Sequence, residues 1–178
     1  FNAVNEIKRH GCQCIIKPAD NSGSRGVNLL KSYEKEMVDR AYEYSKKYSR
    51  SGDLVVEEYL EGPEVSVETL SLDGECHVIQ ITDKMTTGAP YFVETGHSQP
   101  SMLPADIQLK IMEVAVAANR SIGIENGPSH TEIKVTSEGP KIIELGARLG
   151  GDNITTHLVP VSTGVNMVEC CIKIALGE

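Results

Sequence analysis

The sequence predicts an α+β fold built mainly on antiparallel sheet, with a few helices beside it. Short segments of alternating apolar and polar residues dominate the chain, and Asp73-Gly74 is a strong hairpin signal between two of them. Helical periodicity is limited to a few stretches, such as the apolar stripe along residues 104–123. Strands that follow one another through hairpins, with few helices between them, are typical of this class.

Turn residues and periodicity place the elements in order. Ser32 is suited to cap a helix and Pro104 to open another, while Pro18 ends the first strand. The predicted helices cover residues 3–10, 32–48, 104–123 and 164–176. The predicted strands cover residues 12–17, 27–30, 54–60, 65–72, 76–83 and 91–95, with a loop at 84–90 and a hairpin within 130–152.

Composition limits the classes of function. A chain of 178 residues suits one domain, or a domain with a small subdomain, and we expect it to be soluble and globular. No apolar run approaches the ~20 residues of a membrane span, and a net charge of −8 disfavours nucleic-acid binding. Five cysteines without a framework spacing indicate reduced thiols and a cytoplasmic location. Because the chain begins at Phe1 inside a predicted helix, we expect it to be part of a longer protein.

The hairpin within residues 130–152 carries the most informative pattern, a pair of opposed glutamates. If residues 137–139 form a three-residue loop, Glu132 lies directly opposite Glu144 on one face of the sheet. Like charges at that separation, roughly 4.5–5.5 Å between Cβ atoms, are unfavourable unless a cation lies between them. Oxygen ligands of this kind suit Mg²⁺ or Mn²⁺. The alternative is two solvated glutamates on an exposed hairpin.

The glycine-rich turn after the hairpin favours the metal interpretation. It reads Gly146-Ala147-Arg148-Leu149-Gly150-Gly151-Asp152, so one guanidinium lies among glycines that allow close approach of a ligand. On the other face, Ile133, Val135, Ile143 and Leu145 are predicted to be buried and to fix the register. A surface loop that uses glycine only for turning is the alternative.

Two further segments are suited to binding a nucleotide. Lys17 ends a strand before a loop that contains Ser22, Gly23, Ser24 and Gly26, and backbone N–H groups in such a loop can bind an anion. The loop matches neither the Walker nor the GxGxxG pattern, so a structural turn is an alternative. The next strand, VVEEYL, runs into an acidic turn, and its backbone and carboxylates are suited to an adenine edge and a ribose. An ordinary solvated acidic turn is the alternative.

The order of these segments, from the lysine and loop through VVEEYLEGPE to the two-glutamate hairpin with ELGARLGG, resembles the ATP-grasp family. That family includes carboxylate–amine ligases, biotin carboxylase and the large chain of carbamoyl phosphate synthetase. The resemblance covers nearly the whole chain. It implies an ATP-grasp fold, with part of a lid subdomain in residues 1–60, the C-terminal subdomain in 61–178, and an N-terminal domain outside this chain.

The resemblance also implies roles for individual residues. Lys17 would contact the ATP phosphates beneath a glycine-rich lid, a hinge strand would lie beside adenine, and a carboxylate after it would bind the ribose. The residues assigned to ATP are Lys17, Ser22, Gly23, Ser24, Gly26, Glu57, Glu58, Tyr59, Leu60 and Glu64.

For the metal and the reacting groups, the resemblance implies that Glu132 and Glu144 hold Mg²⁺, or Mn²⁺, and that Arg148 steadies an acyl phosphate. Many members have an asparagine where this chain has Gly146, so that metal position would fall to water or to Asn153.

The segment of residues 83–97 resembles the substrate segment of ATP-grasp enzymes that act on amino acids and small carboxylates. Glu94 could hold a substrate ammonium group, and His97 could orient a carboxylate or move a proton near neutral pH. A structural histidine in a turn is the alternative for His97.

The implied function is an ATP- and Mg²⁺-dependent ligase. It would activate a small carboxylate, which could be an amino acid, as an acyl phosphate that an amine then attacks. The alternatives are an enzyme of the carbamoyl phosphate synthetase or biotin carboxylase kind that acts on bicarbonate, and a nucleotide-binding module without turnover. A homodimer is a further expectation, and the isolated chain is expected to fold but to lack activity.

Overall fold

The computed structural model describes residues 1–90 and 92–178 and confirms the α+β class. The chain forms two compact units. The first comprises Phe1–Tyr59 and Thr86–Thr95, and the second comprises Leu60–Met85 and Gly96–Glu178. The helices are α1 Asn2–Arg9, α2 Lys35–Lys46, α3 Ala105–Ser121, α4 Val159–Thr163 and α5 Met167–Leu176. The strands are β1 Cys14–Pro18, β2 Asn28–Leu29, β3 Leu54–Glu58, β4 Glu64–Leu72, β5 Glu75–Thr86, β6 Glu94–Ser98, β7 Gly127–Thr136 and β8 Gly139–Gly146.

The first unit contains a three-stranded antiparallel sheet with the order β2-β1-β3. Cys14 and Ile16 alternate toward one face of β1, and helices α1 and α2 add apolar side chains to them. This burial removes apolar surface from water and so stabilises the unit. The buried core residues are Val4, Cys14, Ile16, Leu30, Val38 and Ala41.

The second unit contains a five-stranded sheet with the order β6-β5-β4-β7-β8. One face of β4, β5 and β7 packs on the apolar stripe of α3, as the amphipathic pattern of that helix predicted. The buried residues of this layer are Val65, Val67, Ile81, Ile111, Ala115 and Ile133. A second cluster, formed by Leu70, Ile154, Val159 and Met167, lies where α4 and α5 cover part of the opposite face. The rest of that opposite face carries polar side chains.

The β7–β8 hairpin places Glu132 opposite Glu144, as predicted, although its turn differs from the prediction. Thr136 pairs with Gly139, so the loop has two residues instead of three. A β-bulge compensates, because Glu132 pairs with Glu144 while Ile133 pairs with Ile142. Ile143 is therefore the additional residue on β8, and the register beyond it is the predicted one.

Several predicted boundaries were wrong. Helix α2 begins at Lys35 with Glu34 as its N-cap, and the Ser32 hydroxyl accepts from the N–H of Glu34 before the helix instead of capping it. Strand β5 continues to Thr86, so the predicted loop at 84–90 starts later. The predicted strand at 91–95 is shifted to Glu94–Ser98, and Tyr91 lies outside the described residues.

The last predicted helix, 164–176, is also shorter than expected. A π-helical turn, Ile154–Leu158, and α4 come first, and Gly164 then adopts a left-handed conformation that separates α4 from α5. Within the described residues, no single helix is long and apolar enough to cross a membrane, although Ile154–Thr163 and Met167–Leu176 reach that length and composition together, with a bend of 104°.

Candidate functional site

A row of alternating charges crosses the polar face of the sheet in the second unit. The ammonium group of Lys84 lies 3.0 Å from Glu64 Oε1 and 3.0 Å from Glu132 Oε1. The ammonium group of Lys134 lies 3.0 Å from Glu64 Oε2. On the other side of Glu132, His130 Nε2 lies 3.4 Å from Oε1, and His130 Nδ1 lies 2.6 Å from Glu68 Oε1.

The register of three strands produces this row. Glu64 pairs with Lys84 on β5 and with Lys134 on β7, and Glu68 pairs with His130. Directly opposed residues share a face of the sheet, and the row runs along one face. The carboxylate of Glu68 is fully buried, and the side chain of Lys84 is 2% exposed, so the row is largely shielded from water.

The row keeps Glu132 ionised. Burial alone raises the pKa of a carboxyl group, but the hydrogen bond from His130 and the positive charge of Lys84 outweigh burial and lower the pKa of Glu132 to about 2. Burial likewise lowers the pKa of an imidazole, but Glu132 and Glu68 outweigh it and raise the pKa of His130 to about 9. Near neutral pH, Glu132 is therefore an anion and His130 a cation.

The two opposed glutamates differ in their surroundings. Glu132 is held by a lysine and a histidine, whereas Glu144 is exposed and, among the described residues, makes no ion pair. Glu132 and Glu144 are directly paired, so both carboxylates project from the same face of the sheet. Hard oxygen donors of this kind fit Mg²⁺, which commonly takes one or two carboxylates and completes its shell with phosphate oxygens and water. The like-charge repulsion that the sequence suggested is reduced here, because Lys84 and His130 already balance Glu132.

The glycine-rich turn follows Glu144 directly. The N–H of Arg148 donates to the Gly146 carbonyl over 2.8 Å, and its guanidinium is exposed and donates to the Leu149 carbonyl over 3.0 Å. Asn153 is exposed and adopts a left-handed conformation with φ 61°, just before the π-helical turn. The metal role of Asn153 and the substrate role of Arg148 stay predictions.

In the first unit, Lys17 lies on β1 with its side chain 16% exposed. Its ammonium group forms an ion pair with Glu57 Oε2 on β3 over 2.8 Å. The pairing of Lys17 with Val55 and of Ile15 with Glu57 puts the lysine and the glutamate on one face of this sheet. The structure thus brings two of the predicted ATP residues together.

The predicted phosphate loop leaves β1 after Lys17. Its tip is open, because nothing lies within 4 Å of the position where a Cβ on Gly23 would be. Ser24 has φ 56°, and its hydroxyl donates to the carbonyl of Phe92 over 2.9 Å. The N–H of Ser22 donates to the Asn21 side chain over 2.8 Å.

The end of the loop is packed tightly. A Cβ on Gly26 would lie 2.8 Å from Pro18 Cγ and 2.9 Å from Tyr48 Cβ, and Gly26 has φ +83°. Only glycine fits such a position without a shift of the backbone. The Gly26 carbonyl also accepts from the hydroxyl of the buried Ser45 over 2.7 Å.

The predicted hinge and ribose residues lie between the two sheets in the sequence. Glu57 and Glu58 end β3, whereas Tyr59 and Leu60 follow the strand, with the N–H of Tyr59 still bonded to the Gln13 carbonyl over 2.8 Å. Glu64, the predicted ribose ligand, begins β4, and each of its oxygens is engaged by a lysine. Glu94 and His97, the predicted substrate residues, both lie on β6 and are partly buried.

Sequence reasoning missed four members of the row, namely Lys84, Lys134, His130 and Glu68. The local signal was a polar residue at every second position of Glu64-Val65-Ser66-Val67-Glu68 and of His130-Thr131-Glu132-Ile133-Lys134. Which charge faces which depends on the pairing of β4 with β7, and these strands are far apart in the sequence.

Comparison with known proteins identifies the class of this fold. The sequence profile of the ATP-grasp domain matches residues 10–156, so the chain belongs to the ATP-grasp family. Alanine–anticapsin ligase of Bacillus subtilis is 32% identical over 193 residues, an alignment that covers 97% of this chain and 40% of that ligase.

Solved structures agree with this assignment. An L-amino acid ligase from Bacillus licheniformis has a TM-score of 0.78 at 26% identity, over 98% of this chain and 46% of that one. The biotin carboxylase domain of Hydrogenobacter thermophilus 2-oxoglutarate carboxylase, solved with MgADP, ADP and bicarbonate, has a TM-score of 0.80 at 24% identity, over 99% of this chain and 39% of that one. The second likeness is one of fold. The chain spans less than half the length of each of these proteins.

Proposed function

We propose that the protein is an ATP- and Mg²⁺-dependent ligase that activates a small carboxylate, such as that of an amino acid, for attack by an amine. The observation that carries this proposal is the pair of opposed glutamates, with Glu132 held as an anion by Lys84 and His130. The likeness to alanine–anticapsin ligase and to an L-amino acid ligase supports the choice of an amino acid.

In the second unit, Glu132 and Glu144 are the residues that would hold the metal. When bound there, Mg²⁺ would neutralise phosphate charge, which is the main electrostatic need of phosphoryl transfer. Glu132 offers its charge at neutral pH without having to lose a proton, since its pKa is about 2. Arg148, whose guanidinium is exposed, would bind an anionic oxygen of the reacting acyl group.

In the first unit, Lys17 and the loop of Ser22, Gly23, Ser24 and Gly26 would bind the ATP phosphates. The ion pair with Glu57 holds the ammonium group of Lys17 in place before ATP arrives. The backbone of Glu58, Tyr59 and Leu60 would contact adenine, and Glu64 is the proposed ribose ligand. Glu94 and His97 on β6 are the proposed contacts for the ammonium and carboxylate groups of an amino acid.

The proposed reaction has two steps. An oxygen of the substrate carboxylate attacks the γ-phosphorus of ATP, the bond from that phosphorus to the bridging oxygen breaks, and ADP leaves. The amine nitrogen of the second substrate then attacks the acyl carbon, phosphate leaves, and the nitrogen loses a proton to give the amide. Binding both partners in line contributes much of the rate, because it removes the entropy cost of their encounter.

The cellular location and the oligomeric state of the enzyme are also proposals. Free thiols at all five cysteines suit a reducing compartment, and we propose a cytoplasmic location. A homodimer remains a proposal. Bicarbonate as the acid, as in the biotin carboxylase neighbour, is tested as one member of the acid panel below.

The experiment measures ADP release by the full-length protein, with ATP, Mg²⁺ and a panel of amino acids, other small carboxylates and bicarbonate. We expect release that depends on an amino acid and amide formation when an amine is added. Glu144→Gln should nearly abolish turnover, whereas Glu138→Gln, a change of an exposed glutamate in the turn of the same hairpin, should not. Equal activity of the two variants would refute the metal assignment, and release driven only by bicarbonate would refute the amino acid.

A further inference from the structure

The buried pair of Glu68 and His130 lies at the inner end of the charged row. Glu68 is fully buried and His130 is 5% exposed, and their side chains are 2.6 Å apart. The other ring nitrogen of His130 reaches Glu132 over 3.4 Å. A histidine bound on both sides by carboxylates cannot turn freely, so Glu68 sets the orientation of the ring that contacts Glu132.

The same pair lies against the glycine-rich turn. A Cβ on Gly150 would be 2.8 Å from Glu68 Oε2, 2.9 Å from Glu68 Oε1 and 2.8 Å from His130 Nδ1. The φ of Gly150 is not in the left-handed region, so close approach, and not backbone conformation, is what requires glycine here. The turn that carries Arg148 thus rests on the carboxylate and the imidazole.

One oxygen of Glu68 has a special place in this contact. Oε2 is buried and, within residues 1–90 and 92–178, accepts no hydrogen bond. A buried carboxylate oxygen without a donor is costly, and such a group in a folded protein calls for an explanation. This oxygen would lie 2.8 Å from a Cβ on Gly150, so the cost is incurred beside the glycine-rich turn.

We infer that Glu68 and His130 are positioning residues that join the metal carboxylate of Glu132 to the turn bearing Arg148. The pair fixes the position of the Glu132 carboxylate through His130. Through Gly150 it also fixes how closely the glycine-rich turn approaches the sheet. This inference rests on the proposed function. Groups that orient a metal ligand in this way typically change metal affinity by roughly 10- to 100-fold when they are removed.

The first test titrates the full-length protein with Mn²⁺ alone and follows free Mn²⁺ by electron paramagnetic resonance. We expect Glu68→Ala to raise the Kd roughly 10- to 100-fold, and Glu68→Gln, which keeps an acceptor for His130 Nδ1, to raise it less. Glu125→Gln, a change of an exposed glutamate in the same unit, is the matched control and should leave the Kd unchanged. Wild-type affinity in a folded Glu68→Ala protein would overturn the inference.

Glu144→Gln in the same titration separates the two proposals. If Glu144→Gln weakens Mn²⁺ binding and Glu68→Ala does not, the metal site stands and the positioning role falls. If Glu144→Gln and wild type bind Mn²⁺ equally, or if neither binds it, the metal site itself falls and the inference falls with it.

The second test does not depend on metal. Gly150→Ala should lower the melting temperature of the metal-free protein, because the new methyl group collides with Glu68 and His130. In the Glu68→Ala background the same change should lower the melting temperature much less, since two of the three atoms nearest to the new methyl group belong to Glu68. Equal losses of melting temperature in the wild-type and Glu68→Ala backgrounds would contradict a packing contact between Gly150 and Glu68. If Glu68→Ala does not fold, the Mn²⁺ affinity of Gly150→Ala decides, and an unchanged Kd would refute the link to the metal.

Discussion

Replacing each of the two opposed glutamates by glutamine should have very different consequences for the stability of the metal-free fold. Glu132 balances Lys84 and His130, so Glu132→Gln leaves two buried cations with less compensation. The difference between its ordinary pKa of 4.5 and its folded pKa of about 2 corresponds to about 3 kcal/mol. Because the pKa is lowered, this stability is present above about pH 4.5 and is lost as the pH falls through about 2.

Urea unfolding near pH 7 measures the effect. We expect Glu132→Gln to lower the free energy of unfolding by about 3 kcal/mol or somewhat less, and Glu144→Gln, whose carboxylate is exposed, to leave it within about 0.5 kcal/mol. The gap between Glu132→Gln and wild type should narrow near pH 3. Equal losses in the two variants, or no loss in either, would refute the argument that the row balances Glu132.

Three further predictions follow from single contacts. Lys17→Ala should weaken ATP binding roughly 10- to 100-fold and AMP binding far less, because the ammonium charge acts on the phosphates. Calorimetry with both nucleotides measures the two affinities, and equal losses of affinity would assign Lys17 a structural role. Ile111→Ala, at a fully buried position under the sheet, should cost about 2–5 kcal/mol in urea unfolding, and a loss below 1 kcal/mol would mean that the layer collapses around the gap. The stability that His130 contributes should be complete below about pH 6.5 and lost as the pH rises through about 9, so the gap between wild type and His130→Gln should close in that interval; a gap that is constant from about pH 6 to 10 would contradict the raised pKa.

Local patterns sufficed for much of the fold. The apolar stripe of α3 identified its buried face correctly, and Asp73-Gly74 identified the β4–β5 turn, where both residues have positive φ. The continuation of β5 through Lys84 could not be seen, because a polar stretch before glycine and proline reads as a loop, and its pairing with Glu64 extends the strand.

The candidate site, like the fold, was predictable only where local sequence determines the contacts. The opposition of Glu132 and Glu144 is a property of one hairpin and was predicted correctly, although the prediction used a three-residue loop where the structure has a two-residue turn and a bulge. The contact of His130 with Glu68 joins residues 62 positions apart, and no local rule gives the register that makes them neighbours. The predicted ligand roles of Lys17, the loop, Glu94 and His97 concern groups that bind partners, so they stay predictions until binding is measured.

The additional residue, Ile143, shifts the register of β8 against β7 by one position. Residues between the turn and Ile143 keep one alternation, and residues from Glu144 onward keep the other. If the register of the two-residue turn continued without a bulge, Glu132 would pair with Ile143 and Glu144 with Thr131, and the two carboxylates would lie on opposite faces of the sheet. The bulge at Ile143 thus keeps Glu144 opposite Glu132 behind a two-residue turn, so a change in the length of the turn would require a matching change in the bulge.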